Sequence, residues 1–343
     1  MGAGITGIST ALMLQRSGKQ CLIIEAAKFG FGTTGGTSAH LNTFFDATYP
    51  EVESDFGKNA ARLLADAGKD AMNTIRSLVE EYQIDCDLEV KEGLLFSETE
   101  KETKQLLEIL RASREAGIDV IETEDNGVPL LFDKVLRFAD QGQFHPIKYV
   151  SALLNEYIKL GGILLEETFV KDAVYKDDIH VVDASGVNYK SLHLIYATHT
   201  PPGVNVMNFN CAPYRSYVLG VELAENNYPE SLVYDMQEPY HYFRTHEIDG
   251  VKYLIVGGED HKTGHDEPET AFDNLEKYVF EHYKVKSVAF HWSSQYYVPV
   301  DGLPYIGALP MSSKHIYCAT GFNGNGMIII TGPPRTDLEQ VHI

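Results

Sequence analysis

Hydrophobic and polar positions at the start of the chain follow two successive patterns. From Ile5 to Ser17 the apolar residues recur roughly at helical spacing, and Gly18 supplies a stop signal. The next apolar run, residues 21–25 (CLIIE), has the length of a buried strand and ends in an acid. The pattern therefore predicts a turn, a helix and a strand in that order.

Similar patterns recur in the middle of the chain. Residues 145–162 predict a helix with one apolar face, and residues 162–175 predict strand material. Residues 192–200 (LHLIYATHT) predict another buried strand. This mixture of helices and strands favours an α/β protein.

The first turn carries a nucleotide-binding pattern. Gly2, Gly4 and Gly7 form G-x-G-x-x-G, which lets a tight turn and a helix N-terminus close around a dinucleotide pyrophosphate. Glu25 follows near the distance at which an acid accepts hydrogen bonds from the adenosine ribose hydroxyls. The strand that should precede this turn is not in the sequence. The alternative interpretation is an ordinary glycine-rich helix start.

Composition and charge narrow the classes of function. With 343 residues, 44% hydrophobic, the chain can bury a large core, and we expect a soluble protein of one or two interleaved domains. A formal net charge of -21 repels nucleic acid and anionic membranes and favours neutral or cationic ligands. The N-terminus lacks a signal peptide, and no apolar run approaches the roughly 20 residues of a membrane span, so we expect a cytoplasmic address.

The cysteines give no sign of a metal centre. Cys21, Cys86, Cys211 and Cys318 lie far apart, without C-x-x-C or a histidine at metal-ligand spacing. We therefore predict reduced, buried thiols and no metal site.

Six blocks, taken in order, resemble a known family. The blocks are GAGITG (2–7), IIEAAKFGFGTTGGTSA (23–39), IYATHTPP (195–202), APYRSYVLGVEL (212–223), VDGLPYIG (300–307) and ATGFNGNGM (319–327). They are similar to the blocks of the FAD-dependent oxidoreductases of the D-amino-acid oxidase and glycine oxidase superfamily. Trp292, Ser293 and Gln295 add a likeness to bacterial members that carry a C-terminal Rieske domain. The cysteine and histidine pairs of such a domain are not in this sequence.

The resemblance implies a fold class and a division into domains. We expect an α/β protein in which a discontinuous, Rossmann-like FAD-binding domain is built from residues 1–80, 140–205 and 300–343. An α+β substrate domain, with an antiparallel sheet that roofs the flavin, is expected from residues 81–139 and 206–299.

The resemblance also implies which residues meet the FAD. These include the glycine turn, the loop rich in Gly, Ser and Thr, a strand that contacts the adenine, and the loop beside the pyrimidine edge of the flavin. The candidates are Gly2, Gly4, Ile5, Thr6, Gly7, Glu25, Ala26, Gly32, Thr33, Thr34, Ser38, Ala39, His40, Val170, Ala197, Thr198, Gly321, Phe322, Asn323, Gly324, Gly326 and Met327. Covalent members use a cysteine seven residues before the aspartate of the D-G-x-P block. Ser294 stands there, which implies noncovalent FAD.

A second departure concerns the substrate. Amino-acid oxidases of the superfamily commonly hold the substrate carboxylate with an arginine five residues before the same aspartate. Tyr296 stands there, which favours a small amine over an α-amino acid, unless Arg215 or Arg244 supplies the contact. The alternative for both arginines is a surface or interdomain ion pair.

The remaining pocket candidates come from a loop and a strand. His40 follows the loop and either contacts the ring or substrate or packs against carbonyl groups. If residues 239–245 (PYHYFRT) form a strand, Tyr240, Tyr242 and Arg244 share one face, and His241 points away. The substrate-pocket candidates are His40, Tyr242, Arg244 and Tyr296; no catalytic residue is assigned, because the cofactor performs the difficult step.

The implied function is oxidation of a C–N bond of a small amine or amino acid, with hydride transfer to the flavin. The electron acceptor is left open between oxygen and an iron–sulfur domain. One alternative is an inactive or incomplete flavoprotein fragment that lacks its first strand and its Rieske domain, because Gly332, Pro333 and Pro334 would stop the expected last helix and both ends look altered. Another is an NAD-dependent dehydrogenase, against which the block at 319–327 argues.

Overall fold

The computed structural model describes residues 1–265 and 267–329. Its α-helices are α1 (Ile5–Arg16), α2 (Thr33–Gly36), α3 (Tyr49–Phe56), α4 (Lys58–Tyr82), α5 (Glu100–Ala116), α6 (Pro146–Lys159), α7 (Met207–Asn210), α8 (Pro268–His282) and α9 (Gly326–Ile329), and a 3₁₀ turn spans Asn323–Asn325. Its strands are β1 (Leu22–Ile24), β2 (His40–Leu41), β3 (Glu89–Ser97), β4 (Val120–Thr123), β5 (Lys134–Gln143), β6 (Ile163–Leu165), β7 (Val170–Lys176), β8 (Ile179–Ala184), β9 (Val187–Ser191), β10 (Leu194–Tyr196), β11 (Cys211–Leu223), β12 (Leu232–Tyr234), β13 (Tyr242–Ile248), β14 (Val251–Lys262), β15 (Val285–Pro299), β16 (Tyr305–Ala308) and β17 (Ile316–Thr320). The predicted stop at residues 332–334 lies outside the described residues.

The helix and strand predicted at the start of the chain are confirmed as α1 and β1. Helix α1 buries Ile5, Ile8 and Leu12 against α6, which begins at a proline in its first turn, where the missing amide costs nothing. The strand predicted over 162–175 forms two strands, β6 and β7, in different sheets. The predicted strand at 192–200 is confirmed only in its centre, as β10.

Two small sheets with parallel pairs lie beside the N-terminus. Strands β1 and β6 pair in parallel, as do β10 and β17, and β16 adds an antiparallel strand to the second pair. The N-terminal amine donates to Ile195 O at 2.7 Å, and Gly2 N donates to Ile24 O at 2.9 Å. Met1 and Gly2 therefore connect the two sheets at the position where the first strand of a Rossmann-like sheet is expected.

A large, mainly antiparallel sheet forms the other half of the molecule. Its order is β15-β11-β14-β13-β12-β3-β5-β2, with β4 attached to β5, and β12 and β3 pair in parallel. Helix α8 packs on one face and covers a core that includes Leu275 and Val279. The structure confirms the α/β fold class; the exact domain boundaries stay a prediction.

The four cysteines are free thiols in this structure. Three of them are buried, but Cys21 is only half-buried because it lies just before the short strand β1, so the prediction of burial was wrong for that residue. Within the described residues, no helix is long and apolar enough to cross a membrane.

Candidate active site

A cavity of about 1150 Å³ opens between the parallel strands and the large sheet, and both contribute to its lining. The cofactor candidates that line it are Gly2, Gly4, Ile5, Thr6, Glu25, Ala26, Gly32, Thr33, Thr34, Ser38, His40, Val170, Ala197, Thr198, Phe322, Asn323, Gly324, Gly326 and Met327. Gly7, Ala39 and Gly321 are not among the lining residues. The structure thus brings together segments from the start, middle and end of the chain.

The glycine turn is packed too closely for side chains. A Cβ on Gly7 would lie 1.9 Å from Gly2 O, and one on Gly2 would lie 2.3 Å from Ala197 O. Gly7 is therefore needed inside the turn, behind the cavity wall. Gly4 provides no side-chain cap for α1, and Ile5 N donates to Thr34 Oγ1 at 3.0 Å. The first turn of α1 faces the cavity, and a helix N-terminus in this position suits an anion such as a pyrophosphate.

Glu25 closes the turn from the end of β1. Its carboxylate accepts hydrogen bonds from Ala3 N at 2.7 Å and from Ala27 N at 2.8 Å. A carboxylate has about four acceptor positions, so two remain for a ligand. Because Glu25 also lines the cavity, it can both hold the turn and accept from ribose hydroxyls.

The loop after α2 carries His40 into a buried polar network. Its Nδ1 contacts the hydroxyl of Tyr234, which also bonds with Asn42, while Nε2 has no hydrogen-bond partner in the described part of the chain. Burial, and then the charge of Arg244, hold the pKa of His40 well below its usual value, so the ring is neutral. We therefore find His40 beside the cavity and engaged with tyrosine rather than with loop carbonyls.

A second histidine, His199, also lines the cavity. Thr33 donates its hydroxyl proton to Gln295 O at 2.9 Å, so its oxygen accepts from His199 Nδ1 at 3.0 Å. Burial lowers the pKa of His199 to about 4, which keeps this ring neutral as well. This contact ties the Gly- and Thr-rich loop to β15 and to the turn after β10.

The far end of the cavity combines acids with tyrosines. Asp46 accepts from Gly324 N at 2.6 Å, and burial raises the pKa of its carboxyl. Tyr240, Tyr242 and Tyr296 line the same end, and Tyr296 donates to Asp260 at 2.7 Å. A smaller cavity of about 360 Å³ adjoins it and shares Asp46, Tyr240 and Tyr296.

The two arginines lie behind the lining. Arg244 is buried and donates to Ser38 O and Ala39 O, so it supports the loop instead of facing the cavity. Arg215 donates to Ser293 Oγ at 2.8 Å and also does not line the cavity.

The predicted alternation in β13 is present in the side-chain positions. Tyr240 and Tyr242 both line the cavity, although Tyr240 precedes the strand. His241 points away and bonds through Nδ1 to Asp235 at 2.8 Å.

Several lining or adjacent residues were not predicted from the sequence: Asp46, His199, Tyr234 and Asp260. His199 lies inside a block that identified the family, and its backbone has a left-handed φ of 67° that sequence spacing does not reveal. Tyr234 meets His40 across 194 residues, a separation that only the folded sheet brings together.

A glycine turn at a helix N-terminus, an acid at the end of the adjoining strand and a large cavity define a dinucleotide-binding protein. The chain belongs to the family of FAD-dependent oxidoreductases known as DAO, whose model matches residues 1–332. It is therefore an enzyme of a flavin-dependent family.

Two curated relatives and one solved structure are similar to this chain. YhfW of Bacillus subtilis (strain 168), whose name describes a Rieske 2Fe-2S iron–sulfur protein, is 32% identical over 330 residues, which cover 95% of this chain and 65% of YhfW. The gamma-glutamylputrescine oxidoreductase of Escherichia coli (strain K12) is 22% identical over 95% of this chain and 79% of its own length. The crystal structure of glycine oxidase from Geobacillus kaustophilus superposes with a TM-score of 0.78 at 18% identity, over 96% of this chain and 90% of that one.

Proposed function

We propose that the chain binds FAD noncovalently in the large cavity and oxidises a C–N bond of a small amine that lacks an α-carboxylate. The observation that carries this proposal is the continuity of one cavity, from the glycine turn at Gly2 to the tyrosines at its far end. Its volume of about 1150 Å³ exceeds the roughly 300–1,000 Å³ of ordinary ligand pockets. One cavity can therefore hold a dinucleotide together with a small substrate.

The residues present fit the FAD. The start of α1 suits the pyrophosphate, Glu25 keeps acceptor positions for the ribose, and Val170 lines the part of the cavity proposed for the adenine. At the other end the segment around Gly324, whose own amide donates to Asp46, lines the part of the cavity proposed for the pyrimidine edge of the ring. The flavin, when bound, supplies the acceptor for hydride.

Ser294 and Tyr296 support the finer parts of the proposal. Ser294 lines the cavity and offers a hydroxyl where covalent members need a thiol. Tyr296 stands in the arginine position, and neither Arg215 nor Arg244 lines the cavity in its place. With acids and tyrosines at this end, a cationic or neutral amine is a better match than a carboxylate.

The residues of the chain would prepare the substrate. The tyrosine hydroxyls can orient an amino group, and the buried, neutral rings of His40 and His199 add no positive charge that would repel it. Hydride departs most readily from the carbon beside a neutral amine, so the pocket must also remove one proton from an ammonium group.

The first experiment tests the cofactor. The purified chain should show the visible absorption of an oxidised flavin, and the flavin should remain in solution after acid precipitation of the protein. Flavin retained in the pellet would contradict noncovalent binding. A chain that binds no added FAD would support the alternative of an inactive fragment.

The second experiment tests the substrate class. Small primary or secondary amines should bleach the flavin anaerobically faster than glycine or D-amino acids do. Bleaching by glycine or a D-amino acid, with none by any amine, would overturn this part. Reoxidation by oxygen, compared with reoxidation by an added iron–sulfur protein, would then separate the two electron acceptors left open.

A further inference from the structure

A one-residue irregularity in β14 changes which acid lies on the cavity side of the sheet, behind the lining tyrosines. In the ladder between β11 and β14, Arg215 pairs with His261 and Tyr217 pairs with Gly258. One residue of β11 lies between these two pairs, but two residues of β14 do. Ser216 is therefore opposite both Glu259 and Asp260. This is a β-bulge, a feature that can re-aim a side chain.

The bulge reverses the expected faces of the two acids. A side chain at Gly258 would point toward His241, on the side of the sheet that α8 covers. Strict alternation along the strand would then put Glu259 toward the cavity and Asp260 toward α8. The backbone of Glu259 instead has φ of 54°, and its carboxylate accepts from Asn274 of α8 at 3.1 Å.

Asp260 consequently joins the tyrosines at the far end of the cavity. Its Oδ2 accepts the hydroxyl proton of Tyr296 at 2.7 Å, while its Oδ1 is buried without a hydrogen-bond partner in the described residues. Asp260 does not line the cavity, but Tyr296 lines both the large and the small one. A proton can therefore pass from the cavity to Asp260 through the Tyr296 hydroxyl.

We propose that Tyr296 and Asp260 form a proton-accepting pair for the ammonium group of the substrate, an inference that rests on the proposed function. As one N–H bond of the ammonium breaks, its proton moves to Tyr296 Oη, and the Tyr296 proton moves to Asp260 Oδ2. The carboxylate becomes a carboxylic acid, the ammonium becomes a neutral amine, and no atom is oxidised. The neutral amine is the form from which hydride departs most readily, and Asp260 later returns its proton to water.

The surroundings of Asp260 support this role. Burial, opposed in part by the hydroxyls of Ser216 and Tyr296, raises the pKa of Asp260 to about 7. The charge of Asp46, from the loop before α3, raises the same pKa further. An acid with this pKa is ionised in mildly basic solution and can accept a proton near the working pH of an enzyme.

The groups that face Asp260 come from several elements. Ser216 lies on β11 and bonds with Tyr242 of β13 at 3.1 Å, and Tyr296 lies on β15. Tyr240, which precedes β13, also influences its pKa. Burial raises the pKa values of Tyr242 and Tyr296, so these phenols stay protonated and Asp260 is the group that titrates.

The test measures anaerobic flavin reduction by a primary aliphatic amine over a range of pH in four versions of the chain. In wild type the rate should rise with pH around 7. Asp260→Asn and Tyr296→Phe should each lower the rate roughly 100-fold near neutral pH, within the usual range for acid–base catalysis. The double variant should be no slower than either single variant. Glu259→Gln, the adjacent acid on the other face, is the matched control and should keep the wild-type profile.

High pH separates proton removal from a structural role. Above the ammonium pKa of the amine, which is roughly 10.4 for a lysine-like group, the substrate arrives already neutral. Asp260→Asn should then regain most of the wild-type rate. A rate that stays low at every pH, or an unchanged pH profile in Asp260→Asn, would overturn the pair while leaving amine oxidation in place. If no amine reduces the wild-type flavin, the proposed function fails and the pair fails with it.

Thermal unfolding without flavin gives a second readout. Because the folded pKa of Asp260 is about 7 instead of 3.8, the folded protein binds more protons than the unfolded chain between these values. The melting temperature of wild type should therefore fall more steeply with rising pH in this interval than that of Asp260→Asn. Parallel curves would show that Asp260 does not titrate as required and would overturn the proposal.

Discussion

Replacing Glu25 by alanine tests the cofactor site and the fold of the turn separately. The variant removes the acceptor for two backbone amides, Ala3 N at 2.7 Å and Ala27 N at 2.8 Å. Ala3 is fully buried, whereas Ala27 is partly exposed, so loss of the contact to Ala3 N should cost more than loss of the contact to Ala27 N. A hydrogen bond to a charged group contributes about 1.5–3 kcal/mol. We expect the free energy of unfolding of the flavin-free protein to fall by roughly one such bond or slightly more.

Loss of the proposed ribose contacts adds a second, separate effect. At the same 1.5–3 kcal/mol, and about 1.4 kcal/mol for each factor of ten, FAD should bind ten- to a hundredfold more weakly to Glu25→Ala. Denaturant titration of the flavin-free chain gives the stability, and quenching of flavin fluorescence gives the affinity. Glu25→Gln, which keeps one carbonyl oxygen, should lie between wild type and alanine in both measurements.

Glu166 provides the matched control. Its carboxylate accepts from Phe29 N at 2.7 Å, much as Glu25 does from Ala3, but Glu166 does not line the cavity. Glu166→Ala should therefore lose stability and keep its affinity for FAD. If Glu25→Ala keeps full FAD affinity, Glu25 is not part of the cofactor site; if its stability is unchanged, the two amide contacts do not hold the turn.

Two further predictions concern the same end of the molecule. Gly7→Ala should abolish FAD binding and lower the melting temperature, because the Cβ of the new alanine would lie 1.9 Å from Gly2 O. A variant that binds FAD like wild type would refute the close packing of the turn. Adding an apolar strand of the V-V-V-I-G kind before Gly2 should raise both the melting temperature and the flavin occupancy. Met1 and Gly2 already form hydrogen bonds with both parallel sheets, and each further ladder bond adds about 1 kcal/mol. An extended chain that melts no higher than the unextended chain would show that such a strand does not join the two sheets.

Local patterns predicted the start of the fold well. Helix α1 and strand β1 follow from spacing, because their apolar residues face a core that neighbouring segments supply. The resemblance of the ordered blocks to a family of FAD-dependent enzymes implied cofactor contacts for residues that mostly line one cavity, and the glycines among them allow a close approach of the backbone. Gly7, Ala39 and Gly321 belong to the same set of candidates but do not line the cavity.

The chemistry at the far end depends on contacts that no local pattern contains. Arg244 shares the alternation of Tyr242, yet its long side chain extends to the carbonyls of Ser38 and Ala39, more than 200 residues away, and leaves the lining. No pattern in the sequence marks Asp260, and strict alternation along β14 would place its side chain on the face toward α8. An extra residue and one left-handed φ, at Glu259, correct that assignment only in the folded strand.

The bulge in β14 also affects how relatives of this protein should be aligned. Ser216 lies opposite both Glu259 and Asp260, and only Asp260 lies on the same side of the sheet as the tyrosines. A relative with one residue fewer in β14 would place whichever of the two acids it retains on that side. Loss of Asp260 would put a glutamate, longer by one methylene, at the far end of the cavity, and the strand residues on either side would keep their faces. Moving an alignment gap by a single column here therefore changes which acid is assigned to the contact with Tyr296, without any substitution in the sequence.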